Sequence, residues 1–137
     1  MIAVRPASLL ALTLLVIGCS YTPTPPSPLP SSGMQVLQGT VYPDGTTTVW
    51  AESPREGTFS LTVSEEKPAG VPIGVAIGGP VGAAGHCETG DPIDMAAGSA
   101  AQEAAVPGAG LYCINVSDTG SVKTRSGVSF SLTVRLR

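Results

Sequence analysis

From about Gln35 to the C-terminus, apolar and polar side chains alternate with period two. That is the signature of strands with one buried face. The last segment, "VSFSLTVRL" (128–136), is the plainest. Val128, Phe130, Leu132, Val134 and Leu136 fall on one face, and Ser129, Ser131, Thr133 and Arg135 on the other. "TFSLTVS" (58–64) repeats the pattern with Phe59, Leu61 and Val63 inward. "GLYCINV" (110–116) sets Tyr112, Ile114 and Val116 against Leu111, Cys113 and Asn115, and "IGVAI" (73–77) aligns Ile73, Val75 and Ile77. Weaker alternation predicts further strands at 35–42, at 46–53 and near 101–106.

The punctuation agrees. Pro43-Asp44-Gly45 is a turn signal, because proline presets φ and Asp-Gly tolerates positive φ. Arg55-Glu56-Gly57 and Pro107-Gly108-Ala109-Gly110 mark further turns. "DMAAGSAAQEAA" (94–105) is the one place where a helix competes, but Gly98 interrupts it and its apolar periodicity is poor, so loop followed by strand is expected. Seven or eight short strands in about 100 residues predict an all-β fold, a small antiparallel β-sandwich of jelly-roll or immunoglobulin-like type. In it Trp50, the one tryptophan, is expected at the core or its edge, with an exposed, sugar-stacking aromatic as the minority reading.

The first third of the chain follows other rules. Arg5 precedes a predominantly apolar run, Leu9 to Ile17, followed by Gly18 and Cys19. The run is too short for a spanning helix, which needs about 20 residues, and suits a signal-peptide core. Val16-Ile17-Gly18-Cys19 resembles the bacterial lipobox. The resemblance implies a lipoprotein signal peptide over 1–18 and removal of that peptide. It further implies acylation of Cys19, palmitate included, as the lipidated N-terminus and membrane anchor. Two or three acyl chains anchor stably where one does not, at about 0.8 kcal/mol per buried methylene. Ser20 in the following position, by the same resemblance, favours the outer membrane over the inner. Ser20 to Gly33 holds five of the 13 prolines. Residues 19–34 therefore read as lipidated Cys and semi-rigid tether, roughly 40 Å long at about 3.1 Å per residue, ahead of a sandwich over 35–137. A ligand for a proline-reading groove, built on Pro23, Pro25, Pro26 and Pro28, is the alternative.

Composition narrows the functions. Charged residues make up 12% of the chain and the net charge is −3. No Lys/Arg cluster exists, so nucleic-acid partners are set aside. Assigning Cys19 to lipid leaves Cys87 and Cys113 as a pair in a chain bound for an oxidising compartment, and a disulfide is expected. It would add about 3 kcal/mol in the chain-entropy model. His86, beside Cys87, is the only histidine. That count fails a blue-copper set of two His, Cys and an axial ligand. A zinc site on His86, Cys87 and Cys113 would forfeit the bridge and leave a position open. Calcium on Asp91 and Asp94 has two carboxylates where six to eight oxygens are wanted. No G-x-S-x-G or phosphate-binding G-x-x-x-x-G-K-[ST] is present. Glu65-Glu66 reads as a solvated charge run in a turn. No catalytic residue, metal or cofactor is therefore expected.

The run "GTVYPDGTTTVW…EGTFSLTV", followed by "VPGAGLYCINVSDTGSVKTRSGVSFSLTV", resembles the bacterial pre-peptidase C-terminal domain. The matching places are Gly57-Thr58, Ile73 to Ile77, Gly110 to Val116 and Val128 to Val134. The resemblance implies a non-catalytic β-sandwich accessory domain of the kind usually appended to a secreted enzyme. The expected function is a lipid-anchored cell-envelope module that binds an envelope protein or glycan. The alternatives are a small envelope hydrolase with an unrecognised site, or a calcium-stabilised adhesion or structural module.

Overall fold

A computed structural model describes residues 33–81 and 85–137. The expected signal peptide, the expected lipidated Cys19 and the proline tract lie outside the described residues. Eight strands follow in chain order: β1 (Met34–Val41), β2 (Thr46–Ser53), β3 (Gly57–Lys67), β4 (Ile73–Pro80), β5 (Ile93–Met95), β6 (Gln102–Val106), β7 (Gly110–Ser117) and β8 (Val128–Leu136). No helix forms among them, and 94–105 is split between β5, a turn and β6. Every pairing is antiparallel, in two sheets ordered β1-β8-β3-β6 (sheet A) and β2-β7-β4-β5 (sheet B).

The order has a simple origin. β1 pairs with β8, β2 with β7, β3 with β6 and β4 with β5. The chain is one long hairpin, folded at the β4–β5 connection and rolled so that alternate pairs fall in opposite sheets. That is a jelly roll. The immunoglobulin-like alternative is not what forms.

The inward stripes meet between the sheets. Phe59, Leu61 and Val63 of β3 and Val128, Phe130, Leu132 and Val134 of β8 face Ile73 and Val75 of β4 and Tyr112, Ile114 and Val116 of β7. Each large side chain so buried contributes about 1.5–3 kcal/mol. Phe59 and Tyr112 meet edge to face, with ring centroids 5.5 Å apart and planes at 88°. The Tyr112 hydroxyl donates to the Gly108 carbonyl at 2.7 Å, so the ring is buried without orphaning its polar end. At the β1–β2 turn, Asp44 takes φ +57° and Gly45 N donates to the Tyr42 carbonyl.

Two side chains close the flanks of the sandwich. On one side the Gln35 amide reaches from β1 to β2, its Nε2 donating to Glu52 O at 2.8 Å and its Oε1 accepting from Glu52 N at 3.0 Å. A side chain thus continues the hydrogen-bond ladder between the sheets. On the other side, Glu66 corrects the sequence reading. It is not a solvated turn residue: it lies within β3 and is 5% exposed. The β3–β8 register shifts between Val63 and Glu65. This bulge breaks the period-two rule, so Glu66 points inward while Glu65 and Lys67 stay outside. A buried carboxylate is tolerable only when hydrogen-bonded. Glu66 accepts from Gly70 N at 2.9 Å and Ala97 N at 2.8 Å, tying the β3–β4 turn to the segment after β5.

Glu66→Ala leaves two backbone donors without their acceptor. It is expected to cost about 1–2 kcal/mol, since Gly70 and Ala97 are exposed and water recovers part of each lost bond, and to lower the melting temperature by roughly 5–10 °C. Glu65→Ala, one residue away and exposed, should change it by a degree or two at most. Thermal denaturation of both variants measures the contrast.

Candidate functional site

The outer face of sheet B is the most differentiated surface of the molecule. On β4 the outward positions are Gly74, Ala76 and Gly78, and Ala76 is only 4% exposed despite pointing away from the core. Something covers them. A Cβ on Gly78 would meet Cys113 Sγ and the Glu88 carbonyl, and one on Gly74 would meet Thr119 and Pro92. The small residues thus form a floor on which the chain after β4 folds back. Gly78 bridges to Thr89, and Asn115 Nδ2 approaches the Thr89 hydroxyl at 3.4 Å. The Cys87–Cys113 disulfide, with Cα atoms 5.6 Å apart, fastens this segment to β7. Both cysteines singled out in the sequence are therefore joined as expected.

This cover stops short of β2 and the outer edge of β7. There the surface carries Trp50, 39% exposed, and Leu111, 38% exposed. Trp50 sits directly opposite Cys113, and Leu111 opposite Glu52. Trp50 and Leu111 are therefore diagonal neighbours on one face, within reach of each other for large side chains. The core reading of Trp50 is corrected. Val49 and Ala51 supply the inward positions of β2, and alternation leaves Trp50 outside. Below it, Thr48 donates to Asn115 Oδ1 at 2.7 Å.

Sheet A has a different outer face. A shallow groove of about 410 Å³ is lined by Gln38, Thr40, Ser129 and Ser131, with Glu65 and Lys67 at its side. Its polar groups already bond one another: Gln38 to Ser131 at 3.2 Å, Thr40 with Ser129 at 3.3 Å, and Lys67 to Glu65 at 2.8 Å. The Glu65 carboxylate raises the Lys67 ammonium above its ordinary pKa. The groove offers hydrogen bonds but no exposed aromatic ring.

The remaining candidates disperse. His86 is exposed ahead of Cys87. Asp94 accepts from the Thr119 hydroxyl at 2.6 Å, and no group of three or more His, Cys, Asp or Glu among the described residues is placed to hold a metal ion. Asp118 was not singled out in the sequence, yet it has the best-furnished carboxylate. Its Oδ1 accepts from Gly120 N at 2.8 Å and Val122 N at 3.0 Å, and Oδ2 accepts from Asp44 N at 3.0 Å. The bonds from Val122 and Asp44 lower its pKa from the ordinary 3.8 to about 2. Asp-Thr-Gly at 118–120 is the sequence signal for such a turn. Its role is to lock the β1–β2 turn to the β7–β8 connection.

No protein-family model matches the chain, and no curated protein matches it in sequence. Among solved structures, it is similar to the Aeromonas hydrophila PliG, a periplasmic lysozyme inhibitor of g-type lysozyme. The two share 18% identity over 78% of this chain and 89% of that one, with a TM-score of 0.51. The likeness is one of fold.

Two measurements check this geometry. Replacing Cys87 and Cys113 by Ser should lower stability by about 3 kcal/mol, read by urea denaturation. For Asp118, whose folded pKa lies below its ordinary value, the stabilisation is complete above about pH 4 and disappears as pH falls through about 2. The melting temperature of Asp118→Asn should therefore lie below that of the parent at neutral pH and converge with it between pH 4 and 2.

Proposed function

We propose that this protein is a lipid-anchored lipoprotein of the cell envelope whose jelly-roll domain is a non-catalytic module that binds a protein partner. The observation that carries the binding role is the outer face of sheet B. A large aromatic and a leucine stand exposed on a rigid sheet, beside a segment that a disulfide holds in place. Exposed aromatics on a preorganised surface are the usual anchors of protein interfaces. The "GLYCINV" strand and its neighbours, which resemble the pre-peptidase C-terminal domain, support an accessory role. The likeness in fold to a periplasmic inhibitor supports an envelope location. The anchor rests on the lipobox-like Val16-Ile17-Gly18-Cys19, with the proline tract as spacer, and Ser20 favours the outer membrane.

One specific partner is favoured over others by the structural neighbour: a g-type lysozyme. On that narrower reading, full-length protein at micromolar concentration slows the clearing of a cell-wall suspension by g-type lysozyme. An unchanged clearing rate dismisses the lysozyme and leaves the binding module to be tested with other envelope proteins.

The anchor is tested separately. Cys19→Ala should move the protein from the membrane pellet to the soluble fraction. Retention of the variant in membranes after a carbonate wash would refute lipid attachment at this residue.

A further inference from the structure

The two outer faces of the sandwich differ in charge as well as in shape. β2, β7, β4, β5 and the segment leading to β5 carry Glu52, Glu88, Asp91 and Asp94, and no Lys or Arg. The cations lie elsewhere. Lys67 and Arg135 are on the strands of sheet A, and Arg137 at its C-terminal end pairs with Glu103. Lys123 and Arg125 belong to the β7–β8 connection, past the Thr46–Ser117 end of β2 and β7, whereas Trp50 and Glu52 lie toward the other end. Arg55, in the β2–β3 turn, donates to the Glu56 carbonyl and leans over Gly57 of β3.

The charged residues placed nearest the apolar pair by register and by the disulfide are thus Glu52 and Glu88, with His86 before Cys87 in the same segment. Glu52 lies opposite Leu111 and two positions along β2 from Trp50, on the same face. Glu88 follows Cys87, whose disulfide ends opposite Trp50. An indole face attracts cations, Arg above all, through its quadrupole. Unpaired carboxylates around it add attraction of the same sign, strengthened where the partner excludes water.

We propose that the Trp50–Leu111 face of sheet B, with Glu52 and Glu88, docks a basic protein surface that presents an Arg or Lys among apolar side chains. The proposal rests on the protein-binding reading above and names the partner's chemistry. The cation stacks on Trp50, its charge is met by Glu52 and Glu88, and the neighbouring apolar groups cover Leu111 and the disulfide. A partner with an acidic surface would be repelled from this face.

Trp50 is the sole tryptophan of the chain, so its emission reports on this face and no other. The full-length protein in non-ionic detergent is titrated with a synthetic peptide alternating Arg and Leu, and with its Glu–Leu counterpart. The Arg–Leu peptide is expected to shift Trp50 emission saturably, and the Glu–Leu peptide to leave it unchanged. Affinity for the first should fall about tenfold in Glu52→Gln/Glu88→Gln, and by a similar factor on going from low to high salt. The melting temperature of the double variant should match the parent. No shift, an equal shift with both peptides, or insensitivity to the double variant and to salt overturns the proposal. So does a shift that a neutral cell-wall oligosaccharide produces and the cationic peptide does not, which would make this a glycan platform.

A second arm separates this proposal from the reading beneath it. A photo-crosslinking residue is placed at Thr48, on sheet B, or at Gln38, on sheet A, in the native envelope. Capture of a basic protein from Thr48, lost at high salt, supports the proposal. Capture from Gln38 alone keeps the binding module and rejects this face, and no capture from either position rejects both.

Discussion

Nested antiparallel pairing is the constraint on which the rest of the structure depends. From β4 on β5 outward, each pair encloses the pair inside it, ending with β1 on β8. Rolling this ribbon puts the inward stripes of β3 and β8 opposite those of β4 and β7, and the apolar surface so removed from water drives the collapse. The same roll leaves open flanks where the sheets diverge. Gln35 and Glu66 occupy those flanks: Gln35 satisfies both backbone groups of Glu52, and Glu66 accepts from Gly70 N and Ala97 N in two separate segments. They hold the two layers together where no strand can.

Sheet B shows how local residue size decides which surface is left for function. The Gly74, Ala76 and Gly78 floor on β4 admits a second layer of backbone, and a larger residue at Gly78 would collide with the disulfide sulfur and the Glu88 carbonyl. The disulfide then fixes that layer at Cys113 in the centre of the sheet. Cover on β4 and none on β2 is therefore a direct result of side-chain volume. The exposed strip that results runs along β2 and the edge of β7, and it is the strip that carries the tryptophan.

The fold class was legible because four segments show a regular inward stripe: 58–63, 73–77, 110–116 and 128–136 are strands with the expected residues inside or packed against the core. The cysteine pair was legible by parity of count. Glu66 was not, because a bulge near Ser64 reverses the alternation and nothing in "SEEK" announces it. β5 was not, because three residues are too few to show a period and its partner β4 supplies the reason for it to be extended. Asp118 was legible only in half: Asp-Thr-Gly announces the local bonds from Gly120 and Val122, but no local pattern predicts the third, from Asp44, 74 residues away. The N-terminal reading, by contrast, rests on sequence alone, since its residues lie outside those the structure describes.

Trp50 shows best how a misplaced expectation becomes informative. A place at the core or its edge was the expectation because large aromatics dominate cores, but the register of β2 sets Trp50 on the outer face. A one-residue slip would bring Trp50 inside together with Thr48 and Glu52, burying a carboxylate and breaking the Gln35 bonds to the Glu52 backbone. The fold therefore needs an outward residue at position 50, and the other outward positions toward the start of the same strand are held by Thr46 and Thr48. Trp50 contributes nothing to the buried core, and exposed apolar area lowers solubility. On the binding reading proposed above, a tryptophan placed where folding does not ask for one has its purpose in the partner that covers it.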